Sequence, residues 1–141
     1  MIKIVTDGSA DMPEGWEEKY DIKIIPLSIV MGEETYQQFR DITPKNFYNL
    51  VREKRFPPKT SLPSPHQIME FYRSIAKKGE EILSIHLTSK LSGTFAAVKQ
   101  AADEIADEIK VYPFDSGAGS AALGFMCREA RLLSLKGWDI P

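Results

Sequence analysis

Short apolar runs alternate along the chain with stretches whose apolar residues recur at helical spacing. Lys3 to Thr6 reads as a strand and runs into Asp7-Gly8-Ser9-Ala10-Asp11. Asp11 is placed to cap a helix through Met12-Pro13-Glu14 to about Tyr20, with Pro13 in its first turn. Ile22 to Met31 is β-rich but contains Pro26, which breaks the ladder on one side and predicts an edge or bent strand. Gly32-Glu33-Glu34 reads as a hairpin turn into Thr35-Tyr36-Gln37. Thr43 as cap and Pro44 at the first helical position open a helix with an apolar stripe of Phe47, Leu50 and Val51. The basic run Arg52, Lys54, Arg55 and Lys59 at its end reads as a solvated surface favoured by the helix terminus. Four prolines between Phe56 and Pro65 predict a stiff, extended loop carrying Thr60 and Ser61.

Ser64 then opens a helix, with Gln67 placed for a capping box. Ile68, Phe71, Tyr72 and Ile75 face inward, and Gly79 stops the helix. Ile82 to Leu87 is a buried strand, followed by Thr88, Ser89, Ser92, Gly93 and Thr94 in a short turn and a helix from Phe95 to about Ile105. Lys110 to Phe114 is a strand ending in Asp115-Ser116-Gly117-Ala118-Gly119-Ser120, and Ala121 to Leu135 a helix closed by Gly137. Small residues at the start of that helix, including Gly124, allow close packing against the sheet. The alternation of strand and helix predicts an α/β fold with a parallel sheet.

The chemistry then lies at strand ends. Hydroxyls collect in three places: Thr6 to Ser9, Thr60-Ser61, and Ser89 to Thr94 with Ser116 nearby. In open α/β sheets, ligands bind outside the carboxyl ends of the strands. A helix start also offers free N–H groups and a partial positive charge, which suit a carboxylate or phosphate. Ser92 or Thr94 as a simple helix cap is the alternative. Asp7 is catalytic, a metal ligand or a loop-closing acceptor, the last being the usual role of an aspartate in a turn. His86 is a satisfied core histidine or a site-lining residue.

Three other chemistries are weaker. Gly117 to Ala122 fits G-x-G-x-x-A formally, but two residues separate it from the strand and no second strand ending in an acid follows. A hydrolase using Ser92 with His86 and Asp115 lacks the G-x-S-x-G elbow. His66 and His86 are isolated, so no metal site is expected.

The chain has 141 residues, 43% of them hydrophobic and 27% charged, enough for one domain with a real core. A net charge of −2 gives nucleic acid or an anionic membrane surface no favour as partner. No apolar run is long enough to span a bilayer, and the N-terminus reads directly into a strand without a signal peptide. Cys127 is alone, which excludes an intramolecular disulfide. A cytoplasmic protein is the simplest account. Gly137-Trp138-Asp139-Ile140-Pro141 reads as the start of something further, so residues 1–141 are expected to be the N-terminal part of a longer protein.

These clusters carry a specific resemblance. Ile4-Val5-Thr6-Asp7-Gly8-Ser9-Ala10-Asp11 resembles the start of DegV family proteins, with Gly8 where the family more often has serine. Ile25-Pro26-Leu27, Asp41-Ile42-Thr43-Pro44 with Phe47-Tyr48, and Lys59 to Pro65 extend the likeness. So do Ser84 to Phe95 and Asp115-Ser116. The resemblance implies the parallel-sheet, three-layer αβα N-terminal domain of a two-domain fold, and a fatty-acid-binding protein rather than an enzyme or a cofactor protein. It implies that Thr60 and Ser92 hold the carboxylate of a long-chain fatty acid, with Asp7, Ser9, Ser61, His86, Gly93, Thr94 and Ser116 as candidates to line the site. Some members present the lipid to a fatty-acid kinase, which phosphorylates the carboxylate. An arginine and a histidine of the second domain complete the head-group site in the family.

Overall fold

A computed structural model describes residues 2–140, and the chain divides into two compact units. The first comprises residues up to Ile25 and from Ser64 onward. Its strands are β1 (Lys3–Asp7), β2 (Ile22–Ile25), β6 (Glu81–His86) and β7 (Lys110–Asp115), all parallel in the order β2-β1-β6-β7. The second, Pro26–Pro63, holds β3 (Ser28–Met31), β4 (Glu34–Gln37), β5 (Lys59–Ser61) and helix α2 (Phe47–Lys54).

In the first unit, side chains of β1 and β6 bury on both faces, as central parallel strands require. Val5, Ile25 and Ile82 pack under α3 (Pro65–Ile75) and α4 (Thr94–Glu104) with Ile68, Tyr72, Val98, Ala101 and Ile105. Ile4, Ile22 and Ile85 pack on the opposite face against Leu123 and Cys127 of α5 (Ser120–Leu135). The result is the expected αβα layering. The β1–β6 boundary is where the sheet changes direction, since β1 leads to β2 on one side while β6 leads to β7 on the other. No helix among the described residues is long and apolar enough to cross a membrane.

Several boundaries are as expected. Ser64 and Gln67 form the capping box of α3, with Pro65 in its first turn. Gly137 (φ +84) ends α5 by a Schellman closure: its N–H donates to the Ser134 carbonyl, and the Trp138 N–H to that of Leu133. Gly124 is needed for close packing, because a Cβ there would meet Met12 and the Asp11 backbone at 2.8 and 3.2 Å.

Others are corrected. Ile22 to Met31 is two strands in two sheets, parted at Pro26-Leu27. Asp11 caps no helix; its carboxylate accepts the Ser120 hydroxyl at 2.7 Å, and α1 is one turn, Trp16–Lys19, entered through left-handed Gly15. Thr43 is not a cap either. The Asn46 side chain takes the Thr43 N–H at 2.8 Å and closes a turn, so α2 starts later, at Phe47. The proline-flanked segment is partly a strand: Lys59–Ser61 pairs antiparallel with β3, Thr60 opposite Ile29. Helix α3 ends at Ile75, before Gly79, because Ala76 is extended.

At the amino ends of the sheet one buried cation ties three segments. Arg131 of α5, 2% exposed, donates to the carbonyls of Tyr20 (2.7 Å), Ile2 (3.0 Å) and Asp21 (2.8 Å) and to the Asp21 carboxylate (3.2 Å). Methionine fills similar space but donates nothing. Arg131→Met should therefore cost about 3 kcal/mol, seen as a lower denaturant midpoint at unchanged slope.

Candidate functional site

The carboxyl ends of β1, β6 and β7 deliver most of the candidate residues, in three loops of the first unit. Asp7 closes β1 and is 1% exposed. One carboxylate oxygen accepts the Ser9 N–H (2.9 Å) and the Ser9 hydroxyl; the other accepts His86 Nδ1–H (2.9 Å) and the Leu87 N–H (3.1 Å). Burial alone would push this carboxyl up. The hydrogen bonds from His86, Ser9 and the Leu87 N–H outweigh burial and hold it at about 2.

Behind this pair runs a buried chain. His86 Nε2 lies 2.7 Å from Ser84 Oγ, and Ser84 Oγ lies 2.8 Å from the Tyr72 hydroxyl. All three side chains are fully buried. With Nδ1–H donated to Asp7, one proton order satisfies every member: Tyr72 donates to Ser84, and Ser84 donates to His86 Nε2. The reverse order would leave the Tyr72 proton without an acceptor on this chain. Burial raises the Tyr72 hydroxyl well above its ordinary range, which suits a permanent donor. Ser84 and Tyr72 were missed in the sequence as members of this network. The available signal was Ser84 and His86 two apart on one strand, hence on one face, above an inward Tyr72.

Asp7 and His86 are also among the candidates to line the site. Both are sealed, with their polar atoms engaged, so they support the loops from beneath. Asp7 is the loop-closing acceptor, and His86 the satisfied core histidine. A Ser92–His86–Asp115 triad is not assembled: His86 is committed to Asp7 and Ser84, while Asp115 accepts N–H groups from Ser89 and Gly117.

Ser92 stands half-buried at the start of α4. Its Oγ accepts the Thr94 N–H at 3.2 Å and lies 2.9 Å from Thr94 Oγ1. It therefore does satisfy one first-turn N–H, although Gly93 occupies the cap position. When Thr94 donates through both groups, the Ser92 lone pairs are occupied and its own proton is left to an external acceptor. In that arrangement Ser92 is a donor and a poor nucleophile. The Ser116 N–H donates to the His86 carbonyl (3.1 Å), and the Ser116 hydroxyl to the Ala118 carbonyl (3.0 Å). Thr60 and Ser61 lie exposed on β5 in the second unit.

The G-x-G-x-x-A match has a packing explanation. Gly117 has φ +61, and a Cβ on Gly119 would meet Leu87 Cδ1 at 2.7 Å. Cys127 is buried beside Thr6, and burial pushes its thiol up to about 11, so it is packed rather than reactive. Among the described residues, no group of three His, Cys, Asp or Glu side chains is arranged to hold a metal ion.

Because the Asp7 pKa is depressed, its contribution is present above the ordinary value of 3.8 and is lost as pH falls toward about 2. Asp7→Asn puts an amide nitrogen where one carboxylate oxygen accepts, leaving buried donors unpaired at about 1–3 kcal/mol each. The variant should be about 2–4 kcal/mol less stable than the parent at pH 7. The gap should narrow as the denaturation series is taken from pH 4 to pH 2.

Comparison with known proteins identifies the arrangement. A family model described as "Uncharacterised protein, DegV family" matches residues 1–140. Protein DegV of Bacillus subtilis is 38% identical over 140 residues, which is 99% of this chain and 50% of that protein. The crystal structure of DegV from Bacillus subtilis, described as a fatty acid binding protein, superposes with a TM-score of 0.90 at 36% identity, covering 99% of this chain and 49% of that one. A Thermotoga maritima structure described as revealing fatty acid binding function gives a TM-score of 0.86 at 35% identity, over 99% of this chain and 51% of that one. The chain spans about half the length of the curated relatives it matches. It belongs to the DegV family.

Proposed function

We propose that this chain supplies the N-terminal half of a cytoplasmic fatty-acid carrier, in which Thr60 and Ser92 hold the carboxylate and the lipid is presented to a kinase. The observation that carries the reading is the 0.90 TM-score, at 36% identity, to a Bacillus subtilis protein described as fatty acid binding. Two local features support it. Ser92 has a proton for an external acceptor when Thr94 is the donor of their hydroxyl pair, and it stands where the first N–H groups of α4 lack intrahelical partners.

The energetics divide the work. Each buried methylene contributes about 0.8 kcal/mol, so a long acyl chain supplies on the order of 10 kcal/mol before association costs. A hydrogen bond to a charged group adds roughly 1.5–3 kcal/mol. The tail thus supplies affinity, and the hydroxyls orient the head. Neutral donors leave the carboxylate nucleophilic, as attack on a nucleotide phosphate requires.

Native mass spectrometry of the full-length protein, purified without detergent, tests the reading. A co-purifying mass that extracts as a long-chain fatty acid is expected. A protein that is empty, and stays empty with added stearic acid, overturns it. Ser92→Ala and Thr60→Ala should each weaken stearic acid binding about tenfold, the equivalent of one charged hydrogen bond. Both should reduce phosphorylation of the bound lipid by more than they reduce binding.

A further inference from the structure

The connection from β6 to α4, residues 87–93, carries Ser92 but has little packing to hold it. Ser89, Lys90, Leu91 and Gly93 are exposed, Leu91 at 77%. Hydrogen bonds must fix its path, and they can be followed residue by residue. The Leu87 N–H goes to Asp7, the Thr88 N–H to the Ala118 carbonyl at 2.9 Å, and the Ser89 N–H to both Asp115 oxygens at 3.2 and 3.3 Å. The loop then turns on itself, the Leu91 N–H returning to the Thr88 carbonyl at 3.0 Å. Asp115 is the last anchor outside the loop before Ser92. It is well placed as one: β7 holds it beside His86 in the sheet register, and its Oδ1 also accepts the Gly117 N–H at 3.1 Å.

We propose that Asp115 is a positioning residue for Ser92, setting the place of the serine hydroxyl through the Ser89 N–H without touching the ligand. The β7–α5 turn is then the template on which the Ser92 loop is laid. Its glycines serve that role: Gly119 leaves room for Leu87, at the root of the loop.

The inference rests on the reading of Ser92 as a head-group contact, and one double-mutant cycle separates the two. Stearic acid binding and thermal unfolding are measured on the full-length protein as parent, Asp115→Ala, Asp115→Asn, Ser92→Ala and Ser92→Ala/Asp115→Ala. Asp115→Ala should weaken binding about fivefold. Asp115→Asn should recover most of that, because Ser89 and Gly117 both donate to a single oxygen that asparagine keeps. In the Ser92→Ala background the loss of Asp115 should add nothing, which a general structural role would not produce. Binding by Asp115→Ala equal to the parent, while Ser92→Ala is weakened, overturns the positioning role alone. So do losses that multiply in the double variant. Unchanged binding by Ser92→Ala overturns the reading of Ser92 and the positioning role with it. If Asp115→Ala does not fold, an Asp115→Asn protein weakened as much as Ser92→Ala overturns the role, and one near the parent upholds it.

Discussion

An ionised carboxylate buried at the end of a central strand is the constraint that organises the carboxyl edge of the sheet. Such a group is costly to desolvate unless its lone pairs are filled. Asp7 meets that demand with donors from its own connection and one other: the N–H and hydroxyl of Ser9 just after β1, and the His86 imidazole and Leu87 N–H at the end of β6. Satisfying the charge therefore fixes two loops at the point where the sheet changes direction. The imidazole in turn orders a chain of protons back to Tyr72 in the core. Removing any member would leave a buried donor or acceptor unpaired.

The opposite edge is solved with the opposite charge. Arg131 takes three main-chain carbonyls at the amino ends, as Asp7 takes main-chain N–H groups at the carboxyl ends. One anion and one cation, each nearly inaccessible, thus serve backbone groups that the parallel ladder leaves over. Both edges use groups that donate or accept several bonds at once. A neutral side chain at either place would serve fewer partners.

Much of this was legible in the sequence where a signal was local. The capping box at Ser64, the Schellman glycine at 137 and the alternation of strand and helix each depend on neighbours a few residues away. What was not legible depended on distant partners. The break at Pro26 separates two sheets, whereas the apolar run across it reads as one strand. Asp11 has the look of a cap, but its hydroxyl partner is Ser120, far along the chain. Asp7 and His86 were singled out from type and position, yet their depth follows from a 79-residue separation brought together by parallel pairing. The resemblance to DegV proteins reached further than local pattern because ordered motifs record such distant contacts implicitly.

The glycine-rich turn after β7 shows why a motif needs its surroundings. A dinucleotide site uses its glycines to let the backbone approach a pyrophosphate. Here Gly117 takes a left-handed turn, and Gly119 makes room for a leucine of the neighbouring connection. The polar groups of the turn are also spent internally: Asp115 on Ser89 and Gly117, Ser116 on Ala118 and His86. A loop whose donors and acceptors face its neighbours is built to support another loop. The connection it supports carries Ser92, whose Oγ accepts the Thr94 N–H and shares a hydrogen bond with the Thr94 hydroxyl.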